Sequence, residues 1–118
     1  MISDEFEKIK QRVPVLYLLD KAIEQETNVT YTQLRAKRGN NKIIKSYKLI
    51  YANIATIATT RLTTRDISIV LNVSRNQVTI CKRKIIDLFR SDVSFNELYN
   101  RIYNRFKQLK REKENGME

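Results

Sequence analysis

Apolar residues recur at intervals of three and four along most of the chain, which is the spacing of one face of an α-helix. The sequence holds only 2 glycines and 1 proline, too few for the turns of a loop-rich β-protein. Its 118 residues suit one domain with a modest core. The pattern predicts an all-α fold of five to six helices in a single domain, residues 1–118, with no clear β-hairpin wing.

Two helices are predicted in an N-terminal arm, residues 1–29. The first covers residues 3–12, with Ser3 as its N-cap and acidic residues in its first turn. Pro14 ends this helix and can begin the second, which runs to about Thr27.

A basic core is predicted over residues 30–90. Thr30 can cap a short helix that stops at Gly39, and Asn40 or Asn41 can cap a long helix that runs to about Thr59. The Thr- and Ile-rich end of the long segment has strand propensity, but its apolar spacing favours a helix.

Residues 91–118 are predicted to form a C-terminal helix with a frayed tail from residue 110 onward. Ser91 or Ser94 can cap this helix. Its apolar stripe must be covered, either by the core of the same chain or by a second copy in a homodimer. We favour closure of the core, with a homodimer on any remaining exposed edge. The stripe consists of Phe95, Leu98, Ile102, Phe106 and Leu109.

Residues 64–83 read as two helices joined by a sharp turn. Asn72 stands at the turn and tolerates the left-handed backbone that is needed there. Ser74 follows at the position of an N-cap for the second helix. The inward positions of the two helices are Ile67, Leu71, Val78 and Cys81.

This pattern resembles the helix-turn-helix superfamily over residues 62–86, particularly sigma-factor region 4 and response-regulator output domains. The matching positions are Ile67, Ser68, Leu71, Asn72, Val73, Ser74 and Val78. Ser68 and Asn72 stand where these families usually have alanine and glycine, and both replacements are physically mild. The resemblance implies that the second helix enters the major groove of duplex DNA.

The outward residues of the motif have side chains that suit base edges and phosphates. For base edges we expect Arg75, Asn76, Gln77, Thr79 and Ile80. For phosphates we expect Arg65, Lys82, Arg83 and Lys84. The alternative is a pair of packed amphipathic helices that bind no ligand.

The basic charge lies in the middle of the chain. The formal net charge is +10, and no Asp or Glu occurs between Glu26 and Asp66. A block of one sign suits phosphate neutralisation.

Residues 30–50 also bear a looser resemblance to the N-terminal helix-turn-helix of plasmid KfrA-type proteins, which implies a second DNA-contacting element. The alternative is a helical hairpin with solvated lysines. The candidate contacts are Arg35, Arg38, Lys42, Lys45 and Lys48.

Several kinds of chemistry are not expected. The sequence has no histidine, which excludes Cys/His metal sites and histidine acid–base catalysis, and it has no Gly-rich phosphate loop. We therefore expect no metal, no cofactor and no enzymatic activity. Cys81 is the only cysteine, residues 1–12 are too charged for a leader, and no apolar run suits a bilayer. These features favour a cytoplasmic protein without a membrane partner.

The sequence thus favours a sequence-specific protein that binds double-stranded DNA, acting as a small transcriptional regulator. The alternative is a DNA-binding accessory factor of a plasmid or phage machine for conjugative transfer, partition or packaging. An RNA-binding or protein-interaction module is less favoured, because the aromatic residues fall on apolar helix faces and do not alternate with the basic residues.

Overall fold

The computed structural model describes residues 5–36 and 42–115, and all of its regular secondary structure there is helical. The all-α prediction is confirmed, but these residues form seven helices and not five to six. The two helices on either side of Pro14 and the short helix after Thr30 are each present, as their local patterns predicted, so only the total count was too low. The helices are α1 (Glu5–Arg12), α2 (Val15–Thr27), α3 (Tyr31–Arg35), α4 (Lys42–Ala58), α5 (Thr64–Leu71), α6 (Arg75–Ser91) and α7 (Val93–Asn115).

Short polar residues set several of the helix boundaries, as their capping chemistry predicts. Asn28 takes a left-handed conformation, with φ of 63°, and its N–H donates to the Glu24 carbonyl at the end of α2. Thr30 and Thr63 each form a capping box, with Gln33 and Asp66 respectively, at the starts of α3 and α5. The two capping boxes satisfy N–H groups that have no partner inside the helix, and the Asn28 N–H satisfies a carbonyl at the end of α2.

The C-terminal helix closes the core of the chain, as we expected. Helix α7 packs along α2 and also contacts α4 and α6. Its apolar stripe is buried, with Ile102 at 0% and Phe106 at 2% exposure. Tyr99 extends from the same stripe to donate a hydrogen bond to Asn53 of α4. The stripe is therefore covered inside one chain and is not the surface that a dimer would use.

A buried polar cluster joins α1, α2 and α4. Lys10, 2% exposed, forms an ion pair with Asp20, and Tyr51 donates a hydrogen bond of 2.9 Å to the same carboxylate. The Lys10 ammonium also lies 3.3 Å from the centroid of the Tyr31 ring. Burial raises the pKa of Asp20, and the neighbouring ammonium opposes that rise. The cluster keeps a charged pair inside the core by giving each charge a partner.

Two details of the C-terminal region differ from the sequence predictions. Asp92 caps α7 by accepting from the Phe95 N–H at 3.0 Å, while the Ser91 hydroxyl donates to the Asp87 carbonyl within α6. Residues 110–115 are helical and not frayed. Lys110 and Lys113 of this stretch line a groove together with Val15 and Leu18 of α2.

Four expectations lie outside the described residues: the Ser3 cap, the glycine stop at Gly39, the Asn40 or Asn41 cap, and Arg38 as a DNA contact. Only Asp92 separates the end of α6 from the start of α7, so no hairpin follows α6. Over the described ranges, none of the helices has the length and apolar character needed to cross a membrane.

Candidate nucleic-acid interface

The turn between α5 and α6 has the backbone geometry that its sequence predicted. Asn72 is left-handed, with φ of 59° and ψ of 48°. Its N–H donates to the Ile69 carbonyl, and the Val73 N–H donates to the Ser68 carbonyl at 3.0 Å. These two bonds form a Schellman motif, which satisfies carbonyls at the end of α5 while the chain reverses direction.

Ser74 then begins α6, as expected, by accepting a hydrogen bond of 3.1 Å from the Gln77 N–H. The inward face of α6 is fixed by Val78 and Ile85, which are 0% and 3% exposed. Helix α6 packs against α4, α5 and α7. Cys81 is half-buried on the same side, and burial raises the pKa of its thiol. The helix is therefore held on one face only.

The outward face of α6 carries the residues that we predicted for DNA, and each of them is exposed. Helix α6 has no acid in its first turn, and Asp87 is its only acidic residue. Ile80 is 46% exposed, which leaves an apolar side chain among polar ones. The exposed set is Arg75, Asn76, Gln77, Thr79, Ile80, Lys82, Arg83 and Lys84.

Helix α4 adds its lysines to this surface. Lys45 and Lys48 line the same groove as Gln77, Ile80 and Lys84 of α6. Lys42 lies one helical turn before Lys45 and is exposed. The structure thus brings together two groups of basic residues that the sequence separates by about thirty positions.

Arg35 is placed differently from the prediction. Its Nε donates to the Val70 carbonyl at 3.0 Å and its Nη2 donates to the Ile69 carbonyl at 2.9 Å. The guanidinium carbon also lies 4.1 Å from the centroid of the Phe6 ring. The guanidinium is therefore used to cap the C-terminus of α5, where a cation also interacts favourably with the helix dipole. The structure thus gives Arg35 a role in supporting the turn, and its contact with DNA stays a prediction.

Three further contacts support the same turn, and no sequence pattern predicted them. The Tyr31 hydroxyl donates to the Val70 carbonyl at 2.6 Å, and the Asn72 side chain donates to the Arg35 carbonyl at 2.9 Å. Phe6 packs against Tyr31 with ring centroids 5.7 Å apart. Only the fold shows that α1 and α3 hold the end of α5, because the partners are far apart in sequence.

Arg65 stands between the interface and the N-terminal helix. It is exposed on α5, and its guanidinium lies 3.5 Å from the Glu5 carboxylate of α1. Both side chains are 55% exposed, so this ion pair is weak in water and leaves the arginine accessible to a phosphate. Arg12 forms a second contact between these helices, donating to Asp66 at 3.0 Å.

Within residues 5–36 and 42–115 the structure holds no group of three or more acidic or cysteine side chains that could bind a metal ion. Comparison of the chain with protein-family models, with curated proteins and with solved structures gives no match. The candidate interface therefore rests on its own geometry and charge.

Proposed function

We propose that this protein binds duplex DNA in a sequence-specific manner through α6 and acts as a small transcriptional regulator. The observation that carries the proposal is the division of α6 into two faces. One face is buried against α4, α5 and α7, and the other presents exposed polar and basic side chains with Ile80 among them. An α-helix with side chains is about 10–12 Å across, which suits a major groove of about 12 Å.

The side chains near the start of α6 match the chemistry of base edges. Arg75 can donate two hydrogen bonds to guanine, and Asn76 or Gln77 can pair with adenine. Thr79 and Ile80 can contact a base edge or the methyl group of thymine. In helix-turn-helix proteins these first turns are the ones that reach the bases. We therefore assign sequence discrimination to residues 75–80.

The surrounding cations have the positions expected of phosphate contacts. Lys82, Arg83 and Lys84 follow the base-reading turns along α6, Arg65 lies on α5, and the lysines of α4 border the groove beside α6. Phosphate contacts fix the register of a protein on DNA without specifying sequence. The net charge of +10 favours association with a polyanion by counterion release.

The test begins with selection of bound fragments from random DNA, followed by sequencing to define a preferred site. We expect Arg75→Ala with Gln77→Ala to weaken specific binding by about 1–3 kcal/mol and to leave nonspecific binding nearly unchanged. The matched control is Arg111→Ala with Gln25→Ala, which removes the same side-chain types from exposed positions on α7 and α2. Equal sequence discrimination by both double variants in gel-shift competition would show that α6 does not read DNA.

The phosphate contacts have a separate test in the salt dependence of binding. Replacing Lys42, Lys45 and Lys48 with Gln should reduce the slope of log affinity against log salt by about one for each phosphate that is no longer neutralised. The control replaces Lys8, Lys21 and Lys113, which are exposed away from α6, and so makes the same change in net charge. An identical slope for the two triple variants would indicate that the α4 lysines are only solvated and contact no phosphate.

A further inference from the structure

A groove of about 510 Å³ lies between α4 and α6, next to the turn that joins α5 to α6. Its volume falls in the range of roughly 300–1,000 Å³ that is typical of small-molecule sites. The apolar lining comes from both helices and from the turn, and includes Ile44, Leu49, Ala52, Val78 and Cys81. Gln77 and Asn72 add amide groups. The groove thus combines apolar walls with a few polar groups, as ligand sites do.

The charge of the groove has a single sign. Lys45, Lys48 and Lys84 line it, and none of the described residues that line it is acidic. Among the described residues none of the three ammonium groups forms an ion pair with a carboxylate. Three cations are therefore gathered around an apolar surface without a counter-ion.

Lys48 is the most constrained of the three cations. It is half-buried, whereas Lys45 and Lys84 are exposed. Burial lowers the pKa of its ammonium group, and repulsion by Arg35 lowers it further. A desolvated charge without a partner costs free energy, and a bound anion would remove part of that cost.

We propose that this groove binds a small organic anion, a carboxylate or phosphate monoester attached to an aliphatic or small aromatic body. The anionic group would lie among Lys45, Lys48 and Lys84, and the apolar body would contact Ile44 and Val78. A backbone phosphate of DNA would use the lysines but leave the apolar walls without a partner. Only an amphipathic anion would contact both the lysines and the apolar walls of the groove.

Occupation of the groove would affect the outer face of α6. Gln77 and Ile80 line the groove and also belong to the residues assigned to base edges. A bound anion would hold these side chains and partly neutralise the lysines beside them. It would therefore weaken DNA binding. This consequence rests on the function proposed above, but the binding of the anion itself is independent of that function.

Cys81 offers a direct measurement, because it is the only cysteine and lines the groove. The experiment follows the rate at which iodoacetamide alkylates Cys81 in the full chain, at mildly alkaline pH, with increasing decanoate below its micelle concentration. At about ten times the dissociation constant of decanoate, we expect the rate to fall about tenfold, because only the unoccupied fraction reacts. Lys48→Met should raise that dissociation constant by about tenfold, the effect of removing one charge-assisted hydrogen bond.

The controls separate the anionic group from the apolar body. Decanol and inorganic phosphate each carry one half of the proposed chemistry and should protect Cys81 far less than decanoate. Lys21→Met makes the same substitution at an exposed site on α2 and should leave protection by decanoate unchanged. Circular dichroism confirms that each variant is folded.

Each result decides the proposal. Protection by decanoate with a dissociation constant about tenfold higher in Lys48→Met supports it, even if the protein binds no DNA, whereas the same dissociation constant in both proteins contradicts it. Equal protection by decanol would make the groove a plain apolar cleft, and protection by inorganic phosphate alone would make it a phosphate contact. Either result, or no protection at all, overturns the proposal. Competition between decanoate and a selected DNA fragment then tests the regulatory consequence by itself.

Discussion

Replacement of Arg35 tests whether its side chain supports the turn before α6 or is free to contact DNA. In Arg35→Met the Ile69 and Val70 carbonyls lose two hydrogen bonds from a charged donor, and the C-terminus of α5 loses a cation. A hydrogen bond to a charged group contributes about 1.5–3 kcal/mol, and half-burial of the guanidinium places each bond at the low end. We expect the free energy of unfolding to fall by about 2–4 kcal/mol, measured by urea denaturation followed by circular dichroism.

The conservative variant separates charge from geometry. A lysine at position 35 retains the attraction to the helix dipole, about 0.3–1 kcal/mol, but its single ammonium cannot reproduce the fork that reaches two carbonyls. Arg35→Lys should therefore recover only a minor part of the loss. Arg61→Met removes an exposed arginine and should change stability by about 0.5 kcal/mol or less. Wild-type stability in Arg35→Met, or full recovery in Arg35→Lys, would refute the capping role.

Three further predictions concern the core. Phe106→Ala should lower the free energy of unfolding by about 3–5 kcal/mol at every protein concentration, because Phe106 is 2% exposed within one chain; a loss confined to low concentrations would point to a dimer. Asp20→Asn should cost about 3–5 kcal/mol in urea denaturation, because it leaves the buried Lys10 ammonium without its counter-ion, and adding Lys10→Met should recover part of that loss. Burial raises the pKa of Tyr99 from 10.0 to about 12, so the folded state keeps a proton that the unfolded state releases. Stability should therefore fall as pH rises through this interval, which circular dichroism and tyrosinate absorbance can follow together, and simultaneous ionisation of every tyrosine well before unfolding would contradict it.

The parts of the fold that sequence could predict are those set by local chemistry. Asn72 and Ser74 act on backbone groups within a few residues of themselves, so their roles at the turn were readable from the sequence and the structure confirms them. Apolar spacing identified the buried stripe of α7 for the same reason. Caps, turns and buried helix faces that depend on residues close in sequence can therefore be predicted from the sequence.

The details that the sequence did not predict depend on competition between possible capping residues or on the proximity of residues that are far apart in sequence. Ser91, Asp92 and Ser94 have similar intrinsic preferences for an N-cap, and the hydrogen bond from the Ser91 hydroxyl back into α6 leaves Asp92 to cap α7. Lys110 and Lys113 of the helical stretch 110–115 line a groove with Val15 and Leu18 of α2, a proximity that no local pattern contains. The tail composition alone suggested fraying, because it lacks apolar residues after Leu109 other than Met117.

The candidate interface shows why charge alone does not assign a function to a basic residue. Arg35 and Arg75 have the same side chain, and both belong to the basic middle of the sequence. Arg35 lies within reach of the uncapped carbonyls of α5 and beside Phe6, so its donors are used inside the fold. Arg75 begins α6 with its side chain exposed, so its donors remain directed toward solvent. Arg35 stabilises the turn that orients α6, and Arg75 lies on the exposed face of α6. The two are therefore coupled: if α6 binds DNA as proposed, loss of the Arg35 cap should disturb that binding through the position of α6.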